Sequence, residues 1–211
     1  MRLASAVATW VLVAAFPQGR LYRMEEPDQD VVALRAEGTL RAPAWAVREV
    51  LLGGWQSDRI SPYIAEHRVL HADRCRDGAR ELPGCRVVWV YERYDPPIVG
   101  SRDYVFRMEI AADDVEHGGD FELTWEIDES RGAPPPGATH MRRNQGAWEI
   151  QPQGEATRFG YRLAADPGGG IPGWVVNIAN RSQVPAVIAA VEDEARKLAE
   201  ARRAPGAPAP R

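Results

Sequence analysis

Strict alternation of apolar and polar residues is the feature that most constrains the fold of this 211-residue chain. In Phe121–Asp128 every second residue is large and apolar, and the residues between them are acidic or threonine. Tyr104–Ile110 has the same pattern, with Val105, Arg107 and Glu109 at the alternate positions. Because successive side chains of a strand point to opposite faces, both segments are predicted to be strands with one buried face.

Five further segments are also predicted to be strands. Short turns rich in Gly, Pro and Asp separate several neighbouring segments, which favours an antiparallel sheet. The further strands are predicted over Val31–Arg41, His67–Asp73, Arg86–Tyr94, Met141–Gln151 and Thr157–Ala165.

Two segments break the alternation and are predicted to be helices. Pro43–Leu52 has a proline in its first turn and two glycines after its end. Pro172–Arg203 has apolar residues at spacings of three and four, which predicts a long amphipathic helix. Pro185 is expected either to kink this helix or to mark its weakest turn. Its stripe comprises Trp174, Ile178, Arg181, Pro185, Ile188, Val191, Ala195 and Leu198. We therefore expect one α+β domain in which this helix packs on the apolar face of the sheet.

Charge and motif content argue against several classes of function. The formal net charge of −4 and the lack of a basic stripe argue against a nucleic-acid partner. The acidic run Asp113–Asp120 lacks the ligand order of a calcium loop. The histidines lack the residue spacing of a catalytic triad or a zinc site. We expect no metal and no cofactor. The histidines are His67, His71, His117 and His140.

The N-terminal segment has two interpretations. The apolar run Leu3–Phe16 is too short to span a bilayer as a helix and has the proportions of a signal peptide, which gives a leader over residues 1–18. Alternatively, Trp10–Phe16 forms a first helix or a segment leading into a strand.

The two cysteines, Cys75 and Cys85, flank a predicted hairpin turn. A disulfide between them is feasible, and two free thiols are the alternative. A disulfide and a signal peptide together would favour an exported or periplasmic protein over a cytoplasmic one.

Three segments, taken in order, resemble the START domain, the steroidogenic acute regulatory protein-related lipid-transfer family. Asp95–Val105 (DPPIVGSRDYV) is similar to the family's loop and Arg-Asp-aromatic strand start. Asn144–Trp148 (NQGAW) is similar to its Asn-x-Gly-x-Trp strand, and Ala165–Asn177 (ADPGGGIPGWVVN) to the turn that starts its C-terminal helix. The resemblance covers Gly19–Arg203, and residues 204–211 are expected to be a disordered tail.

The resemblance implies a helix-grip fold, in which a curved antiparallel sheet wraps the C-terminal helix around a tunnel for one sterol, phospholipid or similar molecule. By analogy, Ser130–Gly137 would be a gating loop that packs on that helix. Sterol-carrying members have an acidic residue and an arginine in the tunnel, and an ungapped match places Trp89 and Met108 there. The resemblance therefore implies a pocket without that polar anchor.

The ligand-binding residues are predicted from strand parity and the resemblance together. They are Val87, Trp89, Tyr91, Tyr104, Phe106, Met108, Leu123, Trp125, Trp148, Tyr161, Val175 and Ile178.

These residues predict a monomeric carrier of a hydrophobic molecule, without catalytic residues. Arg102 and Asp103 are expected to fix the start of their strand, and Arg142 and Arg143 are candidates for transient membrane contact. One alternative is a polyketide cyclase or aromatase acting in the same tunnel, against which the predicted lining offers no histidine or carboxylate as a general base. Another is a protein that senses a lipid.

Overall fold

The computed structural model describes residues 9–26, 29–53, 60–61, 63–77, 80–96 and 100–203. The side chains of residues 75–77, 80–85 and 116 are outside that description. The predicted Cys75–Cys85 disulfide, the first eight residues of the predicted leader and the predicted tail at 204–211 therefore lie outside the described residues. No described helix combines the length and the apolar composition needed to cross a membrane.

Strands dominate the middle of the chain and a long helix ends the described part. In chain order the elements are β1 Val11–Phe16, β2 Gly19–Met24, β3 Ala33–Leu40, α1 Ala44–Gly53, β4 Ile64–Asp77, β5 Arg80–Tyr94, β6 Arg102–Asp113, a 3-10 turn Val115–His117, β7 Phe121–Ile127, β8 Thr139–His140, β9 Arg143–Gln153, β10 Ala156–Asp166 and α2 Gly173–Arg203.

Among the described residues the strands form one curved sheet in the order β1-β2-β3-β10-β9-β7-β6-β5-β4. Adjacent strands in this order are antiparallel, and the short β8 runs parallel beside β6. The sheet and α2 confirm the predicted α+β helix-grip architecture. All seven predicted strands and both predicted helices are present, although β4 extends beyond its predicted bounds at both ends and β5 begins at Arg80, six residues before its predicted start.

The β1–β2 hairpin was not predicted as a pair of strands. Val11–Phe16 is apolar at every position, so its periodicity cannot distinguish a strand from a helix. The structure forms a strand there and not a helix. β2 also approaches β3 closely, since Gly19 pairs with Gly38 and a Cβ on Gly19 would lie 2.1 Å from the Glu37 carbonyl oxygen. Glycine is therefore required at this crossing.

Helix α2 packs on one face of the sheet, which we call the inner face. Its buried residues include Val184, Ile188, Val191 and Ala195, at helical spacings of four, three and four. The helix continues through Pro185. Five members of the predicted stripe lie outside this buried row, since Trp174, Ile178, Arg181 and Leu198 are exposed and Pro185 is half-buried.

The opposite, outer face of the sheet carries a separate apolar cluster. Val87, Trp89, Tyr91 and Val105 are buried there, with Leu70 packed against them. We call these five residues the outer cluster. β5 and β6 therefore have apolar side chains on both faces.

Candidate functional site

An inner cavity of about 220 Å³ lies between the inner face and α2. Strands β4, β5, β6, β7, β9 and β10 contribute to its wall, and α2 contributes Val187 and Val191. Most of the wall is apolar or aromatic, as is typical of pockets that bind small hydrophobic molecules. Its residues are Leu51, Ile60, Ser61, Ile64, His67, Glu92, Phe106, Met108, Leu123, Trp125, Asn144, Trp148, Tyr161, Leu163, Val187 and Val191.

A buried carboxylate gives this cavity a polar end. Glu92 is only 7% exposed, and each of its carboxylate oxygens has a partner. The Tyr104 hydroxyl donates to Oε2 at 2.5 Å, and His67 Nδ1 lies 2.8 Å from Oε1. Strand pairing aligns these groups, because Glu92 is opposite Tyr104 on β6 and opposite His67 on β4. A carboxylate in an apolar site requires such partners, since an isolated buried charge is very costly.

The tyrosines near the inner cavity are held in their neutral form. Burial raises the pKa of Tyr104 well above its ordinary value, and the charge of Glu92 and its hydrogen bond to Tyr104 raise the pKa further. Burial likewise raises the pKa of Tyr161, which lines the cavity. Burial raises the pKa of Tyr94 to about 12. The Tyr94 hydroxyl donates to Gln183 Oε1 at 2.9 Å and so links β5 to α2.

Comparison with known proteins identifies the architecture. No family model and no curated protein sequence matches the chain. Among solved structures, the chain is similar to a STAR-related lipid transfer protein from Xanthomonas axonopodis, with a TM-score of 0.72 and 20% identity over 89% of this chain and 98% of the other. The chain has a START-like fold.

Two human proteins extend this likeness. The START-like fold of this chain matches human StAR-related lipid transfer protein 5 with a TM-score of 0.73 and 12% identity, over 92% of this chain and 90% of the other. It matches human STARD10 with a TM-score of 0.72 and 16% identity, over 92% of this chain and 76% of the other. At these identities the likeness concerns the fold.

Seven of the predicted ligand-binding residues lie at the inner cavity of this START-like fold. Tyr104 lies at the polar end, where its hydroxyl contacts Glu92. Their contact with a ligand stays a prediction. The six residues that form part of the wall are Phe106, Met108, Leu123, Trp125, Trp148 and Tyr161.

Three predicted residues on β5 lie on the other side of the sheet. Val87, Trp89 and Tyr91 belong to the outer cluster, so the predicted parity of β5 is wrong by one residue. The strand pairing shows the shift, since Trp89 pairs with the outward-facing Arg107 and Val90 pairs with Phe106 of the inner cavity. The error arose because Arg86–Tyr94 is apolar at both parities over most of its length.

The two predicted residues of α2 are also misplaced. Val175 is half-buried and is not part of the described cavity wall, and Ile178 is 63% exposed. Val187 and Val191 face the inner cavity in their place. Apolar residues lie on more than one side of α2, so helical spacing alone selected residues on a side that does not face the inner cavity.

The shift on β5 also corrects the predicted chemistry of the pocket. The prediction of a lining without histidine or carboxylate is wrong, because His67 and Glu92 both line the inner cavity. Glu92 and His67 form this polar end in place of the acid–arginine pair of sterol-carrying members, since the described lining includes no arginine. One sequence feature could have indicated this, since Glu92 is the lone acidic residue of Val87–Arg93, at the parity opposite to Trp89 and Tyr91.

The loop after β7 lies against the outer cluster at its start. Trp89 Nε1 donates to Asp128 Oδ2 at 3.1 Å, and the Arg131 guanidinium lies 5.5 Å from the centre of the Trp89 ring. Gly132 lies next to Leu70. For these residues, the predicted packing of Ser130–Gly137 on the C-terminal helix is wrong.

Arg102 and Asp103 lie at the start of β6, outside the inner cavity. Arg102 Nε donates to the Pro167 carbonyl at 2.8 Å, and His140 Nδ1 lies 2.6 Å from Asp103 Oδ1. These contacts connect β6 to the segments that follow β7 and β10. Among the described residues no group of three His, Cys, Asp or Glu side chains is arranged to hold a metal ion.

Proposed function

We propose that this chain binds one neutral, hydrophobic molecule in the inner cavity and carries it without altering it. The observation that carries this proposal is an apolar cavity with one buried carboxylate at its end. Hiding about 400 Å² of ligand surface from water provides about 10 kcal/mol before the costs of association. That gross energy is enough for a micromolar carrier without a strong polar contact.

The charge at the polar end selects the kind of head group. Glu92 accepts hydrogen bonds, and the described lining residues include no arginine or lysine that would neutralise an anionic ligand. A fatty acid or a phosphate group would therefore meet a carboxylate at close range, which is unfavourable in a site of low dielectric. A hydroxyl group would donate to Glu92. We therefore infer a small neutral lipid alcohol as the ligand class.

The volume of the cavity limits the size of this ligand. Pockets for drug-sized ligands measure about 300–1,000 Å³, and the inner cavity measures about 220 Å³. A single small apolar molecule fits this space, whereas a phospholipid with two acyl chains would require α2 to move away from the sheet. Loop or helix displacement of this kind is a common way of admitting a ligand.

Native mass spectrometry of the purified full chain, followed by solvent extraction, tests the carrier function. We expect a bound neutral lipid, and we expect dodecanol to displace the uncharged probe N-phenyl-1-naphthylamine better than dodecanoate does. Val187→Phe places a ring in the inner cavity and should weaken probe binding about tenfold. Val175→Phe is the matched control on the same helix and should leave it unchanged. Protein that is always empty and binds no probe would contradict the proposal.

The contacts of Glu92 also favour a second candidate, an enzyme of the cyclase type. Histidine, carboxylate and tyrosine are the groups most often used for proton transfer, and here they are in mutual contact inside a cavity. An enzyme would return a chemically altered ligand, and Glu92→Gln would stop the conversion while the ligand stayed bound. Recovery of the ligand unchanged after prolonged incubation would support the carrier.

A further inference from the structure

Tyr161 is a buried tyrosine whose hydroxyl group has no hydrogen-bond partner among the described residues. The residue is 6% exposed and lines the inner cavity. A buried tyrosine usually finds such a partner, because a hydroxyl group that leaves water without one costs free energy. The described part of the protein therefore leaves this hydroxyl group available to a molecule in the inner cavity.

Packing explains the ring of Tyr161 but not its hydroxyl group. The ring contacts two tryptophans of the inner face, with ring centres 4.6 Å from Trp148 and 5.9 Å from Trp125. Phenylalanine would make the same ring contacts. Ser61 is the other hydroxyl residue of the described wall. A serine hydroxyl can bond to nearby backbone groups, whereas the ring of Tyr161 holds its hydroxyl group away from its own backbone.

The Tyr161 hydroxyl group lies towards the part of the inner cavity that β5 forms. Burial raises the pKa of Tyr161, and the charge of Tyr94 raises it further, so the two hydroxyl groups are close enough to interact. Tyr94 lies on β5 two residues after Glu92, at the same parity. Tyr161 itself lies on β10, and the strands β6, β7 and β9 separate β10 from β5. Tyr161 and Glu92 therefore belong to different parts of the wall of one cavity.

These two groups have opposite roles in hydrogen bonding. Glu92 as a carboxylate only accepts hydrogen bonds, whereas the neutral Tyr161 has a proton to donate. Tyr104 does not supply this donor, since its hydroxyl proton is directed to Glu92. A simple alcohol would donate to Glu92 and would leave Tyr161 without a partner.

We propose that the carried lipid has two oxygens of different kinds, a hydroxyl group that donates to Glu92 and a carbonyl group that accepts from Tyr161. This inference rests on the proposed carriage of a neutral lipid alcohol and narrows that class to small hydroxy esters and hydroxy ketones. A carbonyl group that enters an apolar cavity without a donor loses its hydrogen bonds to water, which is unfavourable. The Tyr161 hydroxyl group therefore determines whether such a ligand is accepted.

Displacement of N-phenyl-1-naphthylamine from the full chain by ligands of equal main-chain length tests the proposal. The ligands are dodecanol, 2-hydroxyethyl nonanoate, 4-hydroxybutyl heptanoate and 6-hydroxyhexyl pentanoate, and the esters differ in the spacing between hydroxyl and carbonyl. We expect at least one ester to bind the wild type as tightly as dodecanol does. Tyr161→Phe keeps the ring and should lower the ratio of ester affinity to dodecanol affinity about tenfold, the effect of one buried hydrogen bond.

A matched variant and a spectroscopic measurement separate the hydroxyl group from general effects on the fold. Tyr94→Phe removes a nearby hydroxyl group that already donates to Gln183, and it should leave the ratio of affinities unchanged. The infrared band of an isotope-labelled ester carbonyl should lie at lower frequency in the wild type than in Tyr161→Phe, because a donated hydrogen bond weakens the carbonyl bond.

Three results would overturn this inference and leave the carrier function in place. One is an affinity ratio and a carbonyl frequency that Tyr161→Phe does not change. Another is an equal loss of dodecanol and ester binding in that variant, which would mean that one ligand oxygen serves both residues. The third is a fall of the ratio in Ser61→Ala and not in Tyr161→Phe. Failure of dodecanol and of every ester to displace the probe would instead contradict the carrier proposal itself.

Discussion

The two faces of strand β5 are both buried, but different structures cover them. On the inner face Val90 belongs to the same buried cluster as the core residues of α2, and the inner cavity beside Glu92 separates part of the helix from the sheet. On the outer face the chain that follows β7 covers Trp89, and the Arg68 guanidinium of β4 lies over the ring of Tyr91. Equal burial therefore accompanies two different surroundings, a cavity on one face and a fixed cover on the other.

The contacts of the two covers explain this difference. The loop after β7 is attached to the outer face by backbone and side chain, since the Asp128 amide donates to the Val105 carbonyl at 3.0 Å and its carboxylate accepts from Trp89. The short β8 then pairs with β6. Helix α2 contacts the inner face mainly through small and β-branched side chains such as Val184 and Ala195. Small side chains leave space that a guest molecule can fill.

The largest expected effect on the free energy of unfolding comes from two single substitutions, each of which removes a tryptophan from one face of the sheet. Trp148 lies on the inner face, 4.6 Å from Tyr161 between ring centres, and Trp148→Ala should lower the free energy of unfolding by about 3–5 kcal/mol. It also enlarges the inner cavity, so binding should shift towards bulkier neutral ligands. Urea denaturation and competition between ligands of different size measure the two effects.

Trp89→Ala is the counterpart on the outer face. We expect a loss of about 3 kcal/mol, since the side chain is 9% exposed and contacts the loop after β7. Binding of N-phenyl-1-naphthylamine should be unchanged once the protein is folded. A loss of probe binding in Trp89→Ala, without loss in Trp148→Ala, would reverse the assignment of the two faces.

The next largest effect concerns the buried carboxylate. Glu92→Ala leaves Tyr104 and His67 without this acceptor in an apolar site, and should cost about 3 kcal/mol in the free energy of unfolding. Glu92→Gln keeps a carbonyl acceptor for Tyr104 and should cost less. Both should weaken dodecanol binding, and both should gain affinity for dodecanoate, because each removes the buried negative charge. Unchanged selectivity between the two ligands would remove Glu92 from the site.

High pH should loosen the contact between β5 and α2. The folded-state pKa of Tyr94 is about 12, above the ordinary value of 10.0, so the folded state keeps its proton longer than the unfolded state does. The stability contributed by Tyr94 is therefore complete below about pH 10 and is lost as the pH rises towards 12. Urea unfolding from pH 8 to pH 11 should show a smaller decline in Tyr94→Phe. An identical decline in that variant would contradict the assignment.

The smallest effect is expected on the outer loop. Although burial acts in the opposite direction, hydrogen bonds from Ser130 and Trp89 and the nearby Arg107 lower the pKa of Asp128. A lowered carboxylate pKa adds stability above its unfolded value of 3.8, and that stability is lost at lower pH. Asp128→Asn should cost less than about 1 kcal/mol and leave probe binding unchanged. Faster amide exchange at residues 129–132 would report the loosened loop.

The inward-facing residues of a strand could be predicted from the sequence where the other face of that strand meets water. Phe121–Ile127 and Ala156–Asp166 alternate clearly, and Leu123 and Tyr161 lie at the inner cavity as their parity indicates. On β5 the alternation of residues did not reveal which face is inward. Other parts of the chain cover both faces of this strand, so apolar residues are allowed at every position. The register with β6, which sequence alone does not reveal, decides that Val90 and Glu92 point inward.

The polar end of the inner cavity illustrates the same limit. His67, Glu92 and Tyr104 come from three strands and meet only because β4, β5 and β6 pair in one particular register. No spacing within a single segment encodes that contact. The β1–β2 hairpin escaped prediction for a related reason, since Val11–Phe16 lacks a polar residue that would mark its faces.

Methyl-detected NMR of the full chain during titration with dodecanol tests the central claim most directly. We expect saturable shifts for methyl groups of Met108, Leu123 and Val191, which line the inner cavity. Methyl groups of Val87 and Val105 in the outer cluster should not move. Shifts confined to the outer cluster, or the absence of any saturable shift, would contradict a ligand site between the sheet and the last helix.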